Sequence, residues 1–123
     1  MVVGEGPARP EVEAAVAEAG VGSSVQLVGA RPRAADELAA ADVAVLTSVW
    51  EAIPIVLAEA LLRRHPGAHI LYDLRASRAV PDTIRANGGV PLVNRVGHAF
   101  FKQRMRREPV LFGGEVSGHY YFR

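Results

Sequence analysis

Glu115, Ser117 and His119 fall within five residues of one another, in the run Gly113-Gly114-Glu115-Val116-Ser117-Gly118-His119-Tyr120-Tyr121-Phe122. A carboxylate accepts hydrogen bonds and a hydroxyl accepts or donates them, so Glu115 and Ser117 together can hold two neighbouring hydroxyls, as on a sugar. The flanking glycines let backbone come close to a ligand and adopt positive φ. Two other readings use the same residues. Ser117, His119 and Asp73 have the types of a hydrolase triad, but residues two apart on an incipient strand point the same way, and position 115 is not the glycine of a nucleophile elbow. Glu115, His98 and His119 have the types of metal ligands without any recognised ligand spacing. His119, beside aromatics, also reads as a hydrogen-bonded core histidine. A second acidic pair, Glu51 and Glu59, flanks Pro54; by spacing alone Glu59 reads as a solvated helix residue.

Composition bounds what can surround these groups. The chain has 123 residues, half of them hydrophobic and 22% charged, enough for one ordinary domain with a core. Without cysteine there is neither a disulfide framework nor thiolate chemistry. No basic segment followed by an apolar run opens the sequence, so no signal peptide is expected. The longest apolar region, Val43 to Leu62, is broken by Glu51, Pro54 and Glu59, which argues against a membrane span. A cytoplasmic protein is the expectation. The net charge of +1 hides an asymmetry: residues 1–60 carry nine acids and three bases, residues 61–123 four acids and eleven bases. The bases are spread through periodic segments rather than run together, so no nucleic-acid partner is expected.

The elements that must position these residues follow from pattern. Val2-Val3 ends a strand before the turn Gly4-Glu5-Gly6-Pro7. Pro10 to Ala19 predicts a helix, with Pro10 at the first helical position, Gly20 as the stop, and Val12, Ala15, Val16 and Ala19 as one buried face. Val25 to Val28 predicts a strand, Ala34 to Ala41 a weaker helix, and Asp42 to Leu46 a third, nearly continuous apolar strand. A helix from Pro54 to Arg64 presents Ile53, Val56, Leu57, Ala60 and Leu61, and ends on two cations and Pro66-Gly67. Beyond it come a strand from Ala68 into Tyr72-Asp73 and a helix capped by Ser77 and reaching Ala86. The turn Asn87-Gly88-Gly89 leads to a short strand, Val90 to Val93, whose Pro91 disfavours a central position. A helix from Gly97-His98 to Arg107 stacks His98, Lys102 and Arg106 on one side, which reads equally as solvated surface. Strands at Val110 to Phe112 and His119 to Phe122 enclose the Glu-Ser-Gly loop.

Two resemblances follow from these motifs. Ser48, Trp50-Glu51, Pro54 and Glu59-Ala60-Leu61, preceded by Gly4-Glu5-Gly6-Pro7, Val25 to Gly29 and Ala41-Asp42-Val43, resemble the E-x7-E segment and C-terminal donor domain of retaining glycosyltransferases of the GT-B fold. That resemblance covers residues 2–61. It implies a nucleotide-sugar partner, with Glu59 on the ribose hydroxyls and Glu51 near the donor sugar or its phosphate. Leu62-Arg63-Arg64-His65-Pro66-Gly67, Tyr72-Asp73 with Ser77-Arg78, Gly88-Gly89, Val96-Gly97-His98 with Lys102, and Gly113 to Phe122 are similar to the third domain of the α-D-phosphohexomutases (phosphomannomutase/phosphoglucomutase). That resemblance covers residues 62–123. It implies a hexose phosphate as partner, Glu115 and Ser117 on sugar hydroxyls within the Gly114 to His119 loop, with Gly118 part of it. His119 would support the loop, Lys102 would be the basic residue facing substrate, and His98 a further contact.

Together these give an α/β, Rossmann-like expectation: a mainly parallel sheet of six or seven short strands flanked by helices, with a glycosyltransferase-like segment at 1–61 and a mutase-like segment at 62–123. The mutase resemblance implies a phosphoserine, a magnesium-binding cluster of aspartates and a phosphate-binding loop in other domains. This sequence has no D-x-D cluster, and its serines are Ser23, Ser24, Ser48, Ser77 and Ser117. No catalytic residue, no resident metal and no cofactor are therefore expected for this chain alone, and phosphoryl transfer, which depends on such positioned parts, is not expected of it. Glycosyl transfer is not expected either, because the pyrophosphate-gripping part of the donor domain has no counterpart here. The functional expectation is a fragment of phosphohexomutase type that binds sugar. The alternatives are a nucleotide-sugar glycosyltransferase fragment, and a non-catalytic binding module or gene-rearrangement product.

Overall fold

The computed structural model describes residues 1–45 and 55–123, in two compact units, Met1–Ala34 and Ala35–Arg123. Glu51, Pro54 and the expected motif around Trp50 lie outside the described residues.

The first unit is built on α1 (Arg9–Glu18), which starts one residue earlier than expected, with Pro10 as its second residue. Its two expected strands are reduced to a single parallel bridge, Val2 to Leu27, held by Val2 N–H on Gln26 O (2.7 Å) and Val28 N–H on Val2 O (3.1 Å). No residue of α1 is buried, so the expected buried face of Val12, Ala15, Val16 and Ala19 is not realised within this unit. An amphipathic stripe becomes a core only against an apolar surface, and one bridge presents no sheet face for it. Polar contacts hold the helix start instead: Arg9 donates to Glu5 and Glu13, both at 2.8 Å.

The second unit begins one residue into α2 (Ala34–Ala40), which is tied to α3 (Ile55–Arg64) by Arg63 Nε on Asp36 Oδ1 at 2.7 Å. The expected strand from Asp42 is absent as far as Val45, and Val43 and Val45 are exposed. A four-stranded sheet follows, in the order β2-β1-β3-β4: β1 (His69–Asp73), β2 (Val90–Asn94), β3 (Val110–Gly114) and β4 (Tyr120–Phe122). β1 pairs in parallel with both β2 and β3, and β4 runs antiparallel to β3. Four strands and one isolated bridge, among the described residues, stand where six or seven strands were expected.

Two helices connect the parallel strands, α4 (Ala79–Ala86) from β1 to β2 and α5 (His98–Arg107) from β2 across to β3. Ile70 and Phe112 pack with Ala58 and Leu62 of α3 and with Val80 and Ile84 of α4. On the other face Leu71 and Val110 pack against Phe101 of α5. The layers are thus helix, sheet, helix, as a parallel sheet covered on both faces requires.

Two local expectations change. The buried stripe of α3 is Ala58, Ala60 and Leu62, with Ile55, Leu57 and Leu61 half-buried, because the helix is rotated to face α4 as well as the sheet. Ser77 does not cap α4, whose N-cap is Arg78 without a side-chain bond. Val110 and Phe112, two apart, point to opposite faces because the pairing skips Leu111 between His69 and Ile70. Pro91 is accommodated because β2 is an edge strand. No described helix is long and apolar enough to cross a membrane.

Candidate sugar-binding site

The chain leaves β1 on one side of the sheet, towards β2, and returns through α5 to the other side, at β3. This makes the carboxyl end of β1 a topological switch point, where open α/β sheets place ligands. Two acids sit there. Asp73 ends β1 and Glu115 follows β3; they are the buried charged residues of the described chain, 0% and 2% exposed.

Between β3 and β4 the backbone makes a hairpin with three loop residues. Glu115 N–H bonds His119 O (2.9 Å) and Gly118 N–H bonds Glu115 O (2.9 Å). Gly118 has φ 80°, the left-handed position that closes such a loop and that glycine alone occupies without strain. Ser117, Gly118 and His119 are exposed at the tip. The Ser117 hydroxyl and His119 Nδ1 lie 3.0 Å apart, within hydrogen-bond reach. An extended strand would have aimed both side chains the same way; the tight turn at Gly118 brings them together.

Glu115 sits beneath the tip with both oxygens engaged. Oε1 accepts the Gly97 N–H at 2.7 Å and Oε2 the Tyr121 hydroxyl at 2.6 Å. Gly97 is the N-cap of α5, so the carboxylate also meets the positive end of that helix. Burial first, then the hydrogen bond to Glu115 and its negative charge, push the Tyr121 hydroxyl well above the usual tyrosine range. The Tyr121 ring stacks on Phe101 at 5.2 Å, fastening the hairpin to α5.

Asp73, the acid of the triad reading and part of the Tyr72-Asp73 motif, reaches the same hairpin. Its Oδ1 accepts Arg75 N–H (2.8 Å), and its Oδ2 accepts both Arg75 Nη2 (2.9 Å) and Val116 N–H (2.9 Å). Burial alone would raise the Asp73 pKa. The Arg75 side chain, the two backbone donors and the Arg75 charge outweigh it and hold the carboxyl below its ordinary value. The signal available in sequence was an Asp-x-Arg at the end of a buried strand. These bonds leave no oxygen of Asp73 serving His119, so Ser117 and His119 do not complete a triad.

The remaining expected site residues among those described lie on α5 and α3. His98 is the first residue of α5, directly after Gly97, and is exposed. Lys102, one turn on, is exposed and lines an open groove of about 560 Å³ between α5 and β4, with Met105, Arg106 and Tyr121. Glu59 lies on α3, half-buried between Ala58 and Ala60. Among the described residues no three His, Asp or Glu side chains come together as metal ligands. The mutase resemblance puts its magnesium-binding aspartates in another domain, and the two buried carboxylates here accept from N–H and O–H donors.

Comparison with known proteins bears on both halves. Residues 51–123 match the family model described as phosphoglucomutase/phosphomannomutase, alpha/beta/alpha domain III. Residues 1–67 match the model described as glycosyl transferases group 1. Over 68 residues the chain is 50% identical to a phosphomannomutase of Escherichia coli (strain K12). Over 68 residues it is 40% identical to the phosphohexose mutases of Xanthomonas campestris pv. campestris (strain B100). Each match covers 55% of this chain and 15% of the relative. A solved structure of a phosphoglucomutase/phosphomannomutase family protein from Burkholderia thailandensis superimposes with a TM-score of 0.55 at 38% identity, covering 56% of this chain and 15% of that one. The chain thus spans 15% of the length of the curated relatives it matches.

Proposed function

Because the chain belongs, through residues 51–123, to the phosphoglucomutase/phosphomannomutase family by its alpha/beta/alpha domain III, we propose that it recognises the sugar of a hexose phosphate at the 115–119 hairpin. In this reading Ser117 and His119 meet neighbouring sugar hydroxyls, and Gly118 lets the sugar approach the backbone. Glu115 sets the loop from beneath, and its remaining lone pairs accept from a hydroxyl that reaches past the tip. Lys102 supplies positive charge on the α5 side, towards the phosphate, and His98 a further contact. The role belongs to hexose-phosphate phosphoryl transfer. Turnover by this chain alone is not part of the proposal, since it offers no phosphate-carrying serine beside a magnesium cluster.

The observation that carries the reading is the placement of an exposed Ser–His pair at the switch point, on a hairpin held by two buried carboxylates. Isothermal calorimetry with mannose 1-phosphate tests it. Removing one hydrogen bond, in Ser117→Ala, is expected to weaken binding by about threefold to tenfold. Equal affinity in the wild type and the variant, or no binding by either, would overturn it.

One observation favours a second reading, the match of residues 1–67 to group 1 glycosyl transferases. There a nucleotide-sugar would bind near Glu59 and Glu51. Calorimetry with a nucleotide-sugar, repeated on Glu59→Gln, separates the two: a response that is lost in this variant and kept in Ser117→Ala supports the second.

A further inference from the structure

We propose that Asp73 is the positioning residue of the 115–119 hairpin, acting through the backbone N–H of Val116 with Arg75 as its counter-charge. Its functional half rests on the sugar-binding reading; its structural half does not.

Asp73 is wholly buried at the end of β1, yet it makes three hydrogen bonds. Two of them close a local turn with Arg75. The third crosses 43 residues of sequence to Val116, the first residue of the hairpin loop. Glu115, the preceding residue, is pinned separately by Gly97 and Tyr121. The loop base is therefore gripped at consecutive residues by two acids. One reaches it from the end of β1 and the other ties it to the start of α5. Without the Val116 bond the loop would keep its hairpin backbone bonds and the Glu115 anchor, but the Ser117–His119 pair would lose its tie to β1. Of the described residues, Arg75 is the cation paired with Asp73, and the charge of Glu115 acts on Arg75 as well.

The chemistry requires a carboxylate. Both oxygens of Asp73 accept and neither faces an acceptor. Asparagine has the same shape but one acceptor oxygen. In either amide orientation its NH2 group faces an N–H donor, so at least one of the three bonds is lost. Were Asp73 merely the partner of Arg75, the local turn would still account for its burial and the hairpin would not depend on it.

Amide hydrogen exchange on residues 1–123, followed by 15N–1H spectra, separates these cases. Ser117 N–H has no hydrogen-bond partner among the described residues, whereas Val116 N–H has Asp73. In the wild type Val116 is expected to exchange at least about tenfold more slowly than Ser117. Asp73→Asn is expected to abolish that difference, shift the amides of 116–119, and weaken mannose 1-phosphate binding about tenfold. Arg75→Ala, which leaves the Asp73 oxygens in place, is expected to keep Val116 protected. Val116 exchanging as fast as Ser117 in the wild type would overturn the proposal without any variant, as would unchanged protection in Asp73→Asn. A wild type that ignores mannose 1-phosphate but protects Val116 defeats the sugar reading and leaves the positioning role standing.

Discussion

The Glu115 carboxylate offers a sharp energetic contrast between two substitutions. Glu115→Ala removes the acceptor of both the Gly97 N–H and the Tyr121 hydroxyl. Each is a hydrogen bond to a charged group, contributing about 1.5–3 kcal/mol, so the loss is expected to be about 3–6 kcal/mol. Glu115→Gln keeps the shape. Its amide oxygen still accepts from Gly97, and its NH2 donates to the Tyr121 oxygen once that hydroxyl rotates. Only the charge assistance is lost, about 1–2 kcal/mol. Urea unfolding followed by far-UV circular dichroism measures both, with an unchanged m-value required for the comparison. Tyr121 supplies a second readout in the same pair of proteins. Burial, foremost, and Glu115 together hold its pKa up, so the Gln variant ionises at lower pH than the wild type and still above an ordinary tyrosine. Because the folded value is raised, the stability contributed by Tyr121 is complete below its unfolded value of about 10 and is lost as pH rises through the folded value. Ala and Gln variants within about 0.5 kcal/mol of each other, or a Tyr121 titration indifferent to both, would refute the bonding described.

Other outcomes follow from the same structure. Asp73 has a lowered folded pKa, so its contribution is present above the unfolded value of about 3.9 and disappears as pH falls through the lower folded one. Arg75→Ala removes the main lowering influence and should move acid unfolding, followed by circular dichroism, to higher pH. Gly89→Ala places a methyl 2.5 Å and 2.8 Å from the δ-carbons of Leu62 and 3.0 Å from Ile84 Cγ2. Leu62 is buried and cannot swing away, so a loss of about 1–3 kcal/mol is expected in urea unfolding. Gly118→Ala meets no atom within 4 Å but must hold φ 80°. It should lose about 1–2 kcal/mol, also by urea unfolding, with Gly118→Asn losing less.

The sequence made residues 65–123 legible because each element there has its partners within reach. The alternation of apolar runs and helical stripes from Ala68 to Phe122 becomes the sheet and its two connecting helices, with ends shifted by a residue or two. The strands expected in the first 45 residues fail for a physical reason. Val25-Gln26-Leu27-Val28 and Asp42 to Val45 carry the apolar pattern of buried parallel strands, but a strand is stabilised by neighbours. The described structure gives the first of these a single bridge and leaves Val43 and Val45 exposed. At the site, the order of acid, hydroxyl and imidazole was visible in the sequence. Which atoms face solvent was not. The burial of Glu115 follows from Gly97 and Tyr121 closing over it, and the meeting of Ser117 with His119 depends on the positive φ of Gly118. The bond from Val116 to Asp73 was not legible, because it spans 43 residues.

The most direct test of the central claim is a 15N–1H correlation spectrum of residues 1–123 titrated with mannose 1-phosphate. Sugar recognition at the hairpin predicts saturable shifts centred on Ser117, Gly118 and His119, extending to His98 and Lys102. Dispersed peaks that do not move at 115–119, or that move only around Glu59 when a nucleotide-sugar is added instead, would contradict it.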